Sequence, residues 1–247
     1  MTVPEKFTFP QVIQSYFVDQ RLRLRPDAFM QFAQQMAYDG AAPLGFGYDD
    51  VHPLGYAWIL ARMHFRFVRT PLRNEKVTME TWHKGAGPLF FRRDFRILDQ
   101  EGAECVLGTS EWIVMDLALR RMVRPEVIGA ILPTAAQSEA SALPQSAPKV
   151  MRPKGVDFAL AGTHRVVYSD LDDNGHTNNT RYLQWAMDAL DLDYVGEHDV
   201  SDVFINFNKE ALPGESVELM HAEADGCHYI EGLEGGAQVF ITKIMFK

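Results

Sequence analysis

Hydrophobic and polar positions follow a recognisable order in the first half of the chain. A strand is predicted over 12–24, and a helix is predicted to begin at Pro26 and Asp27, because the apolar residues that follow recur at helical spacing. Gly40 suits the end of that helix. Segments rich in Trp, Phe, Val and Thr then predict four strands, at 57–70, 75–84, 89–99 and 104–116.

The second half repeats this order. Residues 163–168 are predicted as a strand and residues 178–194 as a helix with one apolar face. Four more strands are predicted at 202–209, 215–222, 227–233 and 237–246. The segment from Phe67 to Val77 also has a counterpart 140 residues later, in which a strand, a proline turn, a glutamate and a valine recur. The pattern therefore indicates a duplicated unit.

A segment rich in Pro, Ala and Ser separates the two halves and predicts a linker at 125–156. The predicted domains are therefore 1–124 and 157–247. In each half, a strand and a helix followed by four strands indicate a sheet wrapped around one long helix. Two such units can complete one core by pairing their sheets, which predicts an α+β architecture.

Length and composition limit the class of protein. The chain has 247 residues, of which 47% are hydrophobic, so it can bury a large core. It contains no run of about 18 apolar residues, and its first residues lack the pattern of a signal peptide. We therefore expect a cytoplasmic protein that does not interact with membranes. The two cysteines, Cys105 and Cys227, are too few for a disulfide framework or a cysteine-rich zinc site.

The charge distribution gives a mixed indication about partners. A net charge of −9 argues against nucleic acid, because phosphate contacts need a positive surface. Residues 60–125 nevertheless contain 12 Lys or Arg against 8 Asp or Glu. This locally basic region suits an acidic partner. Solvated strand edges with neutralising neighbours explain the same pattern without a partner.

Acid, amide and imidazole groups are concentrated between Tyr168 and Asn179, just ahead of the second predicted helix. Asp172, Asn174 and His176 alternate there, so we expect them to point to one place together with the first N–H groups of the helix. A helix N-terminus stabilises negative charge, including an oxyanion that forms at a carbonyl group. Helix capping and a turn would account for one or two of these residues, but not for all three.

A calcium loop is the main competing interpretation of this stretch. Asp170, Asp172, Asn174 and Gly175 match the first, third, fifth and sixth positions of an EF-hand loop. Arg181 stands where the closing glutamate belongs, and the two flanking helices are not predicted. We therefore expect no metal ion in this stretch.

The pattern D-x-N-x-H-x-N-N-x-x-Y-x-x-W, from Asp172 to Trp185, resembles the signature of the acyl-acyl-carrier-protein thioesterases. In that family a glutamate follows on a later strand, and the matching position here is Glu210, 34 residues after His176. The first half is similar to the family in Gln34-Gln35-Met36-Ala37, Trp58-Ile59-Leu60-Ala61-Arg62, Thr81-Trp82 and Glu111-Trp112.

The resemblance implies a tandem pair of hotdog domains with one active site per chain, formed by Asp172, Asn174, His176 and Glu210. It implies no cofactor and no metal ion. The first half has neither Asn nor His at its own junction, residues 21–27, and would supply the acyl tunnel and the contacts with the carrier protein.

The resemblance also suggests roles for these residues. Glu210 is the first choice to activate water, with Asp172 sharing that role or orienting His176. Asn174 would position the thioester or the water, and His176 would bind the carbonyl oxygen or protonate the departing thiolate. A covalent anhydride on a carboxylate stays open. Some members of the family carry a cysteine directly after the glutamate, but here that residue is Ala211, which argues against a thiol nucleophile.

Three further residues are predicted to bind the substrate. Phe32 and Trp58 would line the tunnel, and Arg62, with the other arginines up to Arg124, would meet the acidic carrier protein. The expected function is hydrolysis of fatty acyl-acyl carrier protein, which ends fatty acid synthesis. The alternatives are an acyl-CoA thioesterase, a hotdog dehydratase or hydratase, and a non-catalytic acyl-carrier binding module. Chain-length preference and oligomeric state stay open, with a homodimer as one option.

Overall fold

The computed structural model describes residues 5–131 and 137–247, which form one antiparallel sheet and the helices that pack on it. The strands of the described residues are β1 (Phe7–Val12), β2 (Tyr56–Phe67), β3 (Lys76–Ala86), β4 (Phe91–Leu98), β5 (Glu104–Asp116), β6 (Arg121–Val123), β7 (Ala159–Arg165), β8 (Val200–Phe207), β9 (Ser216–Ala224), β10 (Cys227–Glu234) and β11 (Ala237–Phe246). They lie in the order β1-β3-β4-β5-β2-β8-β11-β10-β9-β7, and β6 pairs with β5.

This strand order shows the internal repeat directly. Reading outwards from the centre, β2-β5-β4-β3-β1 is matched by β8-β11-β10-β9-β7. The halves are joined at β2 and β8, where Arg66 lies opposite Asp202. Asp202 Oδ1 accepts hydrogen bonds from His64 Nε2 at 3.0 Å and from Arg66 Nε at 2.9 Å. Burial alone would raise the pKa of Asp202, but these two partners hold it below its usual value.

The helices are α1 (Pro26–Ala41), α2 (Tyr48–Val51), α3 (Pro125–Gly129), α4 (Asn179–Asp188) and α5 (Leu192–Glu197). Pro26 occupies the first turn of α1 after an extended Arg25, a position that proline favours. The two longer helices, α1 and α4, contact each other, and their buried faces share one hydrophobic core with the strands. Each half is thus a long helix packed on an antiparallel sheet, and the fold is an α+β tandem hotdog.

The predicted start of α1 and the four later strands of each half are confirmed. The strand predicted over 163–168 is only partly right, because β7 spans Ala159–Arg165 and a helical turn begins at Tyr168. The strand predicted over 12–24 is wrong, because β1 ends at Val12 and a helical turn follows at Ser15–Phe17. Asp19 then turns the chain, since its Oδ1 accepts the backbone N–H groups of Arg21 and Arg23. These hydrogen bonds favour a turn over an extended strand.

The single helix predicted over 178–194 is wrong, because the structure has two helices there, and the second continues to Glu197. The longer one, α4, ends at Asp188, and Asp191 caps α5 by accepting the backbone N–H of Tyr194 at 2.8 Å. Because Asp191 caps a second helix, one continuous helix does not extend through this range. The Tyr194 ring of the shorter helix packs against Phe246 of β11, with the ring centroids 5.2 Å apart.

The predicted linker at 125–156 is tied to the sheet in both halves. Its residues 132–136 lie outside the described residues. Trp82 Nε1 donates to the carbonyl of Ala140 at 2.9 Å, and the Asn206 side chain bonds both backbone groups of Val150. The domain boundaries 1–124 and 157–247 stay a prediction. In the described part of the chain, no helix combines the length and the apolar character needed to cross a membrane.

Candidate active site

A tight turn between β7 and α4 shapes the candidate site. Asp172 Oδ1 accepts hydrogen bonds from the backbone N–H groups of Asn174, at 2.9 Å, and His176, at 3.2 Å. The backbone N–H of Asp172 donates a hydrogen bond to the carbonyl of His176 at 2.9 Å. Gly175 has a φ of +75°, a conformation that glycine adopts without strain. The turn therefore holds Asn174 and His176 at fixed positions next to each other.

A second segment, which contains Glu210 and Ala211, is fastened to this turn. Thr177 donates to the carbonyl of Ala211 from both its backbone N–H and its Oγ1, at 3.3 Å and 2.8 Å. The backbone N–H of Ala211 donates to the Tyr182 hydroxyl at 2.9 Å. Burial raises the pKa of Tyr182 to about 12, so this hydroxyl stays neutral at pH 7. These bonds fix Glu210 beside His176.

Glu210 lies between two cationic or potentially cationic groups. Its Oε1 is 3.7 Å from His176 Nδ1, and its Oε2 is 3.6 Å from Arg120 Nη2. The side chain of Glu210 is 42% exposed. A separation of 3.7 Å is too long for a hydrogen bond, although catalytic hydrogen bonds often tighten only when the substrate is bound. The carboxylate is thus free to contact a water molecule at the pocket mouth.

The site opens into a pocket of about 340 Å³ between the two halves, within the size range of small-molecule sites. Most of its apolar wall comes from the first half, in Met30, Ala33, Ala37, Phe46, Trp58, Leu60, Met63, Phe91, Phe95 and Met115. His83 and Arg93 add polar groups to this wall. Burial, followed by the charge of Arg93, lowers the pKa of His83 to about 4. Burial lowers the pKa of Arg93 to about 10, so it stays charged at pH 7.

The start of α4 is capped from within the chain. Asn178 Oδ1 accepts the backbone N–H of Thr180 at 3.0 Å, and the N–H of Arg181 bonds to the carbonyl of Asn178. These helix donors are therefore already used, which leaves Asn174 and His176 as side-chain donors for an oxyanion. The carboxylate of Asp170 is buried and accepts from His164 and the Val167 backbone, both at 2.8 Å. Both of these bonds are made to Oδ2, so Asp170 holds the chain ahead of the turn.

The structure brings most of the predicted site residues together. Asp172, Asn174, His176, Glu210 and Trp58 all line the pocket. Trp58 is fixed by a hydrogen bond from its Nε1 to the carbonyl of Phe46 at 2.7 Å.

Phe32 and Arg62 do not line this pocket. The Phe32 ring is buried and packs on Phe17, with the ring centroids 4.5 Å apart. Arg62 forms an ion pair with the buried Glu111 at 3.3 Å, and its guanidinium lies over the Phe90 ring. The predicted contact of these two residues with the substrate is thus not supported by the geometry.

The first half contains the same turn without the polar site. Asp19 Oδ1 accepts the backbone N–H groups of Arg21 and Arg23 at 2.8 Å and 3.0 Å, as Asp172 does for Asn174 and His176. Leu22, with a φ of +64°, stands where the second half has Gly175. The turn thus begins at Asp19 and not at residue 21, where the sequence placed it.

A cavity of about 540 Å³ adjoins this first turn, and both arginines that line it are paired with carboxylates. The guanidinium of the buried Arg23 bonds to Asp19 and Asp199, and Arg25 is paired with Asp27. Arg21 and Arg23 stand in this turn where the second half has Asn174 and His176. The described residues therefore contain one candidate active site of this composition, in the second half.

Two features of the site were not found from the sequence. Arg120, in the turn between β5 and β6, reaches Glu210 across the boundary of the halves, and no spacing links residues 90 positions apart. The match between Val18-Asp19 and Leu171-Asp172 could have been found, since an aspartate follows an apolar residue in each turn.

Two helices packed on one antiparallel sheet built from two matching halves, with a polar cluster beside an apolar pocket, define a tandem hotdog protein, and the described residues hold one candidate active site of this kind. Models of two successive domains match the chain: the acyl-ACP thioesterase N-terminal domain over residues 4–130 and the acyl-ACP thioesterase C-terminal domain over residues 157–243. The chain therefore belongs to the acyl-ACP thioesterase family.

Relatives and solved structures agree with this assignment. The chain is 25% identical to an oleoyl-acyl carrier protein thioesterase of Arabidopsis thaliana, covering 89% of this chain and 63% of the relative. It is also 25% identical to a dodecanoyl-[acyl-carrier-protein] hydrolase of Cinnamomum camphora, covering 94% and 65%. The chain thus spans less than two thirds of the length of these curated relatives.

Two solved structures share the fold at 22% identity. An acyl-ACP thioesterase from Bacteroides thetaiotaomicron has a TM-score of 0.83 and covers 98% of both chains. The 12:0-ACP thioesterase from Umbellularia californica has a TM-score of 0.84 and covers 99% of this chain and 98% of its own. The whole described chain therefore has the architecture of these enzymes.

Proposed function

We propose that this protein hydrolyses the thioester of fatty acyl-acyl carrier protein, releasing a free fatty acid and the carrier protein and so ending fatty acid synthesis. One observation carries the proposal: Asp172, Asn174, His176 and Glu210 meet at the mouth of a mostly apolar pocket. An alkyl chain suits the apolar wall, and its thioester would then lie among the polar groups. Membership of the acyl-ACP thioesterase family supports the same substrate class.

Glu210 is proposed as the general base that activates water. Its carboxylate is partly exposed and faces His176 and Arg120, neither of which approaches closer than 3.6 Å. A water molecule held by Glu210 can attack the carbonyl carbon of the thioester while the proton passes to the carboxylate. General base catalysis of this kind contributes about 100- to 10,000-fold to a rate.

Asp172 is proposed as a positioning residue. Its Oδ1 already accepts two backbone N–H groups. Asp19 makes the same two bonds in the first half, which has no counterparts of Asn174, His176 and Glu210. A bond pattern shared by both halves argues for a role in shaping the turn. Asp172 would therefore hold Asn174 and His176 in place without taking the proton of water.

Asn174 and His176 are proposed to act on the thioester itself. The Asn174 amide, on an exposed side chain, can donate to the carbonyl oxygen as negative charge develops there, an interaction worth roughly 3–4 kcal/mol in comparable sites. His176 can protonate the thiolate as it leaves. A proton taken by Glu210 can return through His176, because these two side chains are neighbours.

A cysteine nucleophile is not supported by the geometry. Ala211 occupies the position after Glu210, and neither cysteine lines the pocket. Burial raises the pKa of Cys105 to about 11, although the charge of Arg69 opposes this, so the reactive thiolate is scarce at pH 7. Water activated by a carboxylate is therefore the proposed nucleophile.

The carrier protein is proposed to dock near the pocket mouth. Several arginines of the basic region are already paired with acids, among them Arg62 with Glu111, Arg66 with Asp202 and Arg96 with Glu80. Arg121 and Arg124 are exposed, and so is Arg120, which lines the pocket and lies 3.6 Å from Glu210. These three arginines fit an acidic partner better than the interval as a whole. A cytoplasmic location and a homodimer stay predictions.

The proposal is tested by offering one acyl chain on two carriers. The purified protein is mixed with acyl-acyl carrier protein or acyl-CoA, and free thiol and free fatty acid are measured. Release of both products, faster from the carrier protein, is expected. Preference for acyl-CoA would contradict the proposed carrier. An enoyl product without thiol release would instead indicate a dehydratase or hydratase, and binding without turnover would indicate a non-catalytic module.

A further inference from the structure

Three metal-binding side chains meet on one face of the sheet in the second half, outside the candidate active site. His221 and Glu223 are two residues apart on β9, so both point to the same face. His228 lies directly opposite Glu223 on β10. None of the three lines the pocket that contains Glu210. The Tyr194 ring of α5 lies against one side of this cluster, with its centroid 4.8 Å from that of the His228 ring.

Two separations within this cluster are close to those between ligands of one metal ion. His221 Nε2 is 3.1 Å from His228 Nδ1, and His228 Nδ1 is 3.7 Å from Glu223 Oε1. One donor atom from each residue lies within 4.8 Å of the others. Bonds of 2.0–2.1 Å at tetrahedral angles place two ligand atoms about 3.3–3.4 Å apart. Small rotations of the side chains would therefore let all three atoms reach one ion.

The donor atoms of the cluster also suit a metal ion. Two imidazole nitrogens and one carboxylate oxygen are ligands that Zn²⁺ commonly binds, and the carboxylate supplies the negative charge that a divalent cation prefers.

We propose that His221, Glu223 and His228 form a binding site for a divalent transition-metal ion, with Zn²⁺ as the best-suited class. Two imidazoles and one carboxylate are a ligand set that holds Zn²⁺ and leaves a fourth position for water. The two histidines share one N–H in their mutual hydrogen bond. On binding, the ring that carries this proton would adopt the tautomer with its N–H on the opposite nitrogen, so that both facing nitrogens can coordinate the ion.

The bound ion would link β9 to β10 beneath α5 and would stabilise the outer part of the second half. Hydrolysis does not require it, because the cluster is separate from the pocket. The site is therefore testable independently of the proposed activity. The test uses the 247-residue chain after treatment with a chelator. It is titrated with Zn²⁺ in a calorimeter and with Co²⁺ in a spectrophotometer.

We expect one ion per chain and the intense visible bands of tetrahedral Co²⁺. Glu223→Gln and His221→Gln should each weaken Zn²⁺ binding by about 100-fold or more. Removing a hydrogen bond to a ligand already weakens metal binding by about 10- to 100-fold, and removing a ligand should cost at least as much. The Glu223 side chain is 68% exposed, so its replacement should leave the fold intact. Glu218→Gln, an exposed carboxylate on β9 that points to the other face, is the matched control.

Two results would overturn the proposal. One is the absence of Zn²⁺ binding by the unsubstituted chain, which would leave the cluster as a hydrogen-bonded pair of histidines beside a carboxylate. The other is binding of one ion per chain that persists at full affinity in both Glu223→Gln and His221→Gln. Loss of binding in those two variants, with retention in Glu218→Gln, would establish the site.

Discussion

Replacing Glu210 with glutamine separates its proposed chemical role from any structural one. The amide keeps the shape of the side chain but cannot accept a proton from water at neutral pH. Because the Glu210 side chain is 42% exposed and lies 3.6 Å from the highly exposed Arg120, the fold loses only a surface ion pair, worth about 0.2–1 kcal/mol. The loss of general base catalysis should instead lower kcat by about 100- to 10,000-fold, or roughly 3–5 kcal/mol of activation free energy.

The assay measures free thiol released from acyl-acyl carrier protein, together with thermal unfolding of the same samples. Glu218→Gln is the matched control, since it makes the same substitution at an exposed strand position outside the pocket. The control should keep both kcat and the melting temperature. Glu210→Gln should keep the melting temperature and lose kcat. A well-folded Glu210→Gln variant with unchanged kcat would refute the role of Glu210 as the base.

Three further predictions follow from the same geometry. Asp172→Asn retains an oxygen for the N–H groups of the turn, so kcat should fall far less than in Glu210→Gln, and a loss as large would identify Asp172 as the base. Asp202→Asn should lower the free energy of unfolding by about 1–3 kcal/mol in chemical denaturation. In the unsubstituted chain, Asp202 contributes to the free energy of unfolding above the pKa that it has in the unfolded state. That contribution is lost as pH falls through its lower pKa in the folded state. A free energy of unfolding that does not fall in acid would contradict this. Arg93→Met removes a buried cation from the pocket wall and should favour longer alkyl chains by about tenfold in kcat/KM. An unchanged chain-length profile would contradict the contact with the acyl chain.

The elements that the sequence predicted well are those whose pattern depends on local burial. The strands from β2 to β5 and from β8 to β11 carry dense apolar and aromatic residues, and Pro26 sets the start of α1. The candidate site was also predictable, because Asp172, Asn174 and His176 lie within one short turn. Glu210 was not predictable from spacing alone and was identified through the resemblance to a known family.

Other features depend on contacts that a linear pattern does not contain. Periodicity shows that α1 has buried faces, but it does not show that Ala33 faces the pocket while Phe32 packs on Phe17. On β2 the pairing register shifts between Leu60 and Arg62, and this bulge changes which side chains share a face. The substrate contacts predicted for Phe32 and Arg62 depended on these two details.

The product of turnover in ¹⁸O-labelled water tests the central claim most directly. The purified chain is incubated with acyl-acyl carrier protein in H₂¹⁸O. Free thiol is then quantified, and the mass of the fatty acid is measured by mass spectrometry. Attack by water predicts one free thiol for each fatty acid and one ¹⁸O atom in its carboxylate. An acyl product that keeps its thioester, or a fatty acid without ¹⁸O, would contradict direct hydrolysis by a water molecule activated at Glu210.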